Sequence, residues 1–246
     1  MKKLKFILPL VILVLIIAAG AWYVNDYYHS EVSVETYSEN GGVVKVVEIN
    51  EGLFLDGSGE RDAVIFYPGA KVEYTAYLPL FYALAEQGVD CFLVKMPFNL
   101  AFLGMNKADD IMAAYDYEHW YLAGHSLGGA MAASYASGHL DALDGLILLA
   151  AYPTKDLKAE DFRVLSVYGS EDGVVNRDKL MDGRQWMPDA ADAYTELCIE
   201  GGNHAWFGNY GEQKGDGKAT ITRKMQQSQT VEAILKMLEG CVDEGL

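Results

Sequence analysis

Cysteine is scarce in this chain: Cys91, Cys198 and Cys241 are the only three among 246 residues. An odd number without paired metal-type spacing excludes a disulfide framework and a cysteine-built zinc site. Cys91 and Cys198 fall inside apolar, strand-like runs and are expected to be buried free thiols. No His-Glu-x-x-His helix and no Gly-x-x-x-x-Gly-Lys-Ser/Thr loop occurs, so the residue supply calls for no metal, nucleotide or other cofactor. Basic residues are also few, 19 against 35 acidic, for a formal net charge of −16. Such a surface repels phosphate backbones and argues against a nucleic-acid partner. Internal repeats and low-complexity tracts are missing too.

A long apolar run is present, at the amino terminus. Lys2, Lys3 and Lys5 precede 19 uncharged residues from Phe6 to Val24. That is close to the ~20 residues needed to cross a bilayer, and longer than the ~7–15 of a signal-peptide core. Residues 1–24 are therefore expected to be a signal anchor, with the lysines cytoplasmic and the remainder outside the cytoplasm on a single-pass protein. The alternative is a secreted protein cleaved after Ala21, since Ala19 and Ala21 are suitably small. Three basic residues fall in this segment and no acidic one does. The outer part thus holds 16 basic against 35 acidic side chains, or −19. Residues 25–40 read as a polar spacer, with 25–36 entering a first strand, and 41–246 as one domain, long enough for a well-buried core.

Within that domain, "GGVVKVVEINEGLFLDGSGERD" has glycine punctuation around two β-rich runs, the pattern of an antiparallel hairpin. From residue 63 short β-branched runs alternate with helical patterns, which predicts a mostly parallel sheet with helices on both faces. The runs lie at 63–69, 89–97, 119–124, 143–153, 162–172 and 193–204. Helices are predicted near 75–87, 107–115, 127–138, 177–186 and 221–239.

Chemistry enters at "HWYLAGHSLGGAMAASYA". A strand meets a helix at Ser126, flanked by Gly124 and Gly128, and a tight strand-to-helix turn would lift that hydroxyl above the sheet. Serine needs a base and the base needs an orienting acid. Of five histidines, only His204 follows a strand's carboxyl end with freeing glycines, in "EGGNHAWFGNYG". Asp172 in "GSEDGVV" is the expected acid, with Glu171 as its alternative. Oxyanion donors are the backbone N–H of Leu127 and of Ala70 in "YPGAK", with that of Lys71 next. Phe98, Trp206 and Phe207 are candidates to line a substrate pocket, or else ordinary core.

Together, "YPGAKVEYTAYLPL", "MPFNLAFLG", "GHSLGG", "GSEDGVV" and "GGNHAWFGNYG…GDG" resemble the α/β-hydrolase superfamily over residues 43–240. They are most similar to bacterial dienelactone-hydrolase-like and carboxylesterase proteins. The resemblance implies an eight-stranded sheet and a cofactor-free serine hydrolase. Dienelactone hydrolases use a cysteine nucleophile where this chain has Ser126, so lactone specificity does not carry over. Only nine residues separate Pro153 from Arg163, too few for a helical lid. The expected function is hydrolysis of small to medium acyl esters through an acyl-enzyme. The alternatives are acyl transfer to a lipid or cell-wall acceptor, and a non-catalytic binding module.

Overall fold

The computed structural model describes residues 2–38, 42–190 and 192–239, so Cys241 lies outside the described residues. The chain opens with helix α1 (Lys2–Asn25), whose side chains are described from Pro9. Among the described residues no helix is long and apolar enough to cross a membrane. A short helix, α2 (Val34–Ser38), leads into the hairpin β1 (Lys45–Ile49) and β2 (Gly52–Asp56). β3 (Asp62–Tyr67), α3 (Leu78–Ala85), β4 (Asp90–Val94) and α4 (Lys107–Ala114) follow. Next come β5 (His119–His125), α5 (Leu127–Ala136), β6 (Gly145–Leu149) and β7 (Arg163–Gly169). α6 (Arg177–Gly183), β8 (Tyr194–Ile199) and α7 (Arg223–Glu239) complete the fold.

The eight strands form one sheet in the order β1-β2-β4-β3-β5-β6-β7-β8. The two pairings at the hairpin edge are antiparallel and the remaining five are parallel. Central strands are buried on both faces, which explains their continuous apolar runs. In β3, Val64 and Phe66 join one core with Tyr77, Phe81, Ile234 and Leu238. Ala63, Ile65 and Tyr67 alternate to the other face, where they pack with Ala108, Ile111, Ala132 and Ala133. Between β6 and β7 there is no helix, as the short connection required. The β6 strand ends at Leu149, earlier than its apolar run, because Ala150 turns to a positive φ of 49°.

Two expectations change. The polar stretch after α1 forms no strand of the sheet. It runs beside the loop after β3, joined by a single parallel bridge between Tyr28 and Val72. Cys198 is exposed, not buried. β8 lies at the edge of the sheet, and of its residues only Ile199 is buried. Cys91, on the interior strand β4, is fully buried, and burial, with the Asp90 charge adding, pushes its thiol well above the usual range.

This difference predicts thiol reactivity. In a Cys241→Ser variant, a soluble maleimide should modify Cys198 in the native state and Cys91 only after unfolding. Rapid modification of both in native protein would contradict the placement of β4 and β8.

Candidate active site

The turn from β5 to α5 is made by one residue, Ser126, at φ 53° and ψ −123°. Such a conformation costs a non-glycine residue ~1–3 kcal/mol and persists only where its surroundings impose it. The surroundings are backbone. A Cβ on Gly128 would stand 2.2 Å from the Tyr67 carbonyl oxygen and 2.3 Å from that of Pro68. One on Gly124 would stand 2.6 Å from Gly128 itself. The Ser126 N–H donates to Leu149 O at 2.9 Å, tying the turn to β6. Ser126 is left partly exposed at the carboxyl ends of the strands.

His204, in the turn after β8, is buried to 1 % exposure, and its Nδ1 lies 2.8 Å from Asp172 Oδ2. The other Asp172 oxygen accepts the N–H groups of Val174 and Val175, both at 2.8 Å. Burial raises the Asp172 pKa, but His204 and these two N–H groups outweigh it, so the carboxyl is held below its usual range. A carboxylate facing Nδ1 places the ring proton there and leaves Nε2 as the basic nitrogen. That atom is buried and has no hydrogen-bond partner among the described residues. The Glu171 side chain is exposed and accepts from its neighbour Ser170, so the structure brings Asp172 and not Glu171 to the histidine.

Ser126 makes no hydrogen bond to His204 among the described residues, and the two turns meet through His125. The His125 ring lies 4.5 Å from that of His204, and its Nε2 donates to the His204 carbonyl at 3.1 Å. His125 Nδ1 must then accept, and it does so from Tyr77 Oη at 2.8 Å. Burial pushes the Tyr77 hydroxyl far up, against the opposing pull of the Gly69 N–H that it accepts at 3.2 Å, and keeps it a donor. One buried relay therefore links the loop after β3, the elbow and the histidine turn.

A second brace went unseen in the sequence as a functional group. Asp216 Oδ1 accepts from Gly173 N–H at 3.2 Å and His204 N–H at 3.1 Å, while Oδ2 accepts from Ala205 N–H at 2.9 Å. It holds the acid turn against the histidine turn. The available signal was an aspartate between two glycines: a Cβ on Gly217 would lie 1.8 Å from Glu171 O.

The N–H groups of Gly69 and Lys71 are engaged, by Tyr77 and by Asn99 O. That of Ala70, like that of Leu127, donates no hydrogen bond among the described residues. Ala70 and Leu127 are thus available where Lys71 is not. Of the pocket candidates, Phe207 takes the core alternative: it is fully enclosed, 5.7 Å from the His125 ring. Trp206 is partly buried against that core, and Phe98 points to solvent at 62 % exposure. A cavity of about 660 Å³ lies between β8 and α7, lined by Val164, Thr195 and Ala233 among others. It opens at the amino-terminal half of β7 and β8, away from Ser126. Among the described residues no group of three or more His, Cys, Asp or Glu side chains is arranged to hold a metal.

Two predictions follow from this geometry. Gly128→Ala should destabilise the protein by about 2–3 kcal/mol in urea unfolding, and a loss below ~0.5 kcal/mol would contradict the close backbone approach. Burial first, and then the neighbouring His204, hold His125 neutral well below the ordinary 6.5. The unfolded chain takes up that proton first on acidification, so stability should fall below pH 6.5, by up to ~1.4 kcal/mol per pH unit for one proton. His125→Gln should remove that component of the slope, and an unchanged slope would contradict it.

The profile of the alpha/beta hydrolase family matches residues 63–228. No curated protein sequence matches the chain. Among solved structures it is similar to a membrane phospholipase A described as a bacterial virulence factor, at 15 % identity and TM-score 0.59, covering 98 % of this chain and 99 % of that one. It is also similar to a dienelactone hydrolase from Anabaena variabilis, at 12 % identity and TM-score 0.58, covering 79 % and 99 % of the two chains. A thermophilic esterase from the planctomycete Thermogutta terrifontis matches at 13 % identity and TM-score 0.56, over 85 % and 97 %. At these identities the likeness speaks for the fold alone. The profile covers more than half of the sequence, from β3 into α7, and the chain belongs to the α/β-hydrolase family.

Proposed function

We propose that the protein is a serine hydrolase that cleaves small to medium acyl esters. One observation carries the reading. A buried imidazole is fixed by a carboxylate at 2.8 Å on Nδ1 and left unpartnered on Nε2, and its turn packs through His125 against the strained elbow of Ser126. Ser126 Oγ attacks the ester carbonyl and passes its proton to His204 Nε2. The oxyanion is received by the free N–H groups of Leu127 and Ala70, the first of them at the amino terminus of α5. His204 returns the proton to the departing alkoxide, and Asp172 stabilises the imidazolium between these steps. Water, deprotonated by His204, then releases the acid from Ser126.

We place the enzyme at a membrane, with α1 as its anchor and the domain outside the cytoplasm. The uncharged run from Phe6 to Val24 behind three lysines supports this, as do exposed apolar side chains from Leu10 to Ile17 along α1.

The test is labelling with an active-site-directed fluorophosphonate. An adduct on Ser126 is expected in the wild type, with none in Ser126→Ala. His204→Gln should lower kcat on a chromogenic ester by ~10²–10⁴-fold. A folded wild type that takes no adduct and hydrolyses no ester would overturn the proposal.

A further inference from the structure

The chain leaves α1 beside the proposed site. The Tyr28 N–H donates to Lys71 O at 2.7 Å, and the Glu73 N–H returns to Tyr28 O at 3.0 Å. The Lys71 ammonium lies 2.9 Å from the Asp26 carboxylate and 4.5 Å above the Tyr23 ring. These contacts fasten the end of α1 to the loop that carries the Ala70 N–H. A little further on, the Glu31 N–H donates to Asn209 O at 2.8 Å, in the loop after His204. Both loops bordering Ser126 are therefore tied to the segment that emerges from α1.

Apolar side chains cluster at the same place. α1 touches the turn Pro97–Asn99, and that turn with the next one, Ala101–Leu103, exposes Phe98, Phe102 and Leu103 at 62 %, 54 % and 50 %. Trp22 and Tyr23 are exposed on the last turns of α1, at 70 % and 51 %. The turn is strained as well: Phe98 and Asn99 have φ of 53° and 56°. The Lys71 N–H holds it there through Asn99 O at 2.8 Å. Each such residue costs ~1–3 kcal/mol, and the strain here turns an aromatic ring toward water.

We propose that Phe98, Phe102 and Leu103, with Trp22 and Tyr23, form a docking surface for a zwitterionic lipid bilayer, and that the ester delivered to Ser126 belongs to a lipid of that bilayer. This rests on the hydrolase reading and deepens it, extending the acyl range from small and medium esters to the long chains of bilayer lipid. Aromatic residues at the end of an apolar helix favour the headgroup level. The outer part's 16 basic against 35 acidic side chains, a charge of −19, oppose anionic lipid, so docking is driven by apolar insertion rather than by charge. In the reaction, the lipid acyl carbon gains the bond to Ser126 Oγ and loses its bond to the glycerol oxygen. That oxygen leaves with the serine's proton by way of His204. Water then splits the acyl-serine, giving a fatty acid and the deacylated lipid.

The full chain, reconstituted in phosphatidylcholine vesicles, is assayed for fatty-acid release from the vesicle lipid and for turnover of a soluble chromogenic ester. The wild type is expected to do both. Phe102→Ser/Leu103→Ser should lower lipid hydrolysis at least tenfold and leave soluble-ester turnover unchanged. An enzyme that turns over the soluble ester but releases no fatty acid overturns this proposal and leaves the hydrolase reading standing, whereas inactivity on both substrates overturns both. Equal loss on the two substrates in the double variant also overturns it. So does a dimer in detergent that the variant disperses while lipid hydrolysis is kept. Independently of activity, an environment-sensitive fluorophore on Phe102→Cys, in a Cys198→Ser/Cys241→Ser background, should shift to the blue on reconstitution. Unshifted emission overturns the docking surface.

Discussion

Gly128 lies against the carbonyl oxygens of Tyr67 and Pro68 more closely than any side chain could. That backbone contact sets the elbow. It brings the start of α5 onto the end of β3 and leaves Ser126 at φ 53°. The parallel strands supply the frame, because their carboxyl ends meet at one rim. The glycines remove what would otherwise push the rim apart.

The groups around Ser126 are held by braces that do not take part in the proposed chemistry. The relay from Gly69 through Tyr77 and His125 to the His204 carbonyl crosses three loops, and every side chain in it is buried. Asp216 adds a fixed carboxylate between the acid turn and the histidine turn. These contacts position backbone, so His204 keeps its ring free for Asp172 on one side and for a proton donor on the other. Preorganisation of this kind makes electrostatic stabilisation effective, since little has to reorganise as charge develops.

The sheet and its helices were legible because local pattern suffices for them: β3 alternates Val64 and Phe66 against Ile65 and Tyr67, and each set enters its own core. The elbow was legible because crowding leaves only glycine at its flanks. Asp172 and His204 could be placed because each follows a strand's carboxyl end. What depended on distant packing was not legible. Cys198 sits in an apolar run, but strand order makes β8 an edge. Phe207 follows His204 closely, yet the chain folds it inward against His125. Asp216 lies 12 residues beyond His204 and acts only through backbone amides. The stretch after α1 has the composition of a spacer and became a strap, because its partners are main-chain groups of Lys71 and Glu73.

In the proposed mechanism Ser126, His204 and the N–H groups of Leu127 and Ala70 surround one reacting centre. A crystal structure of the enzyme trapped with a phosphonate on Ser126 measures this directly. One phosphonyl oxygen is expected within ~2.7–3.1 Å of both N–H groups, with His204 Nε2 facing the serine oxygen. A phosphonyl oxygen turned to solvent, with neither amide in reach, would contradict it.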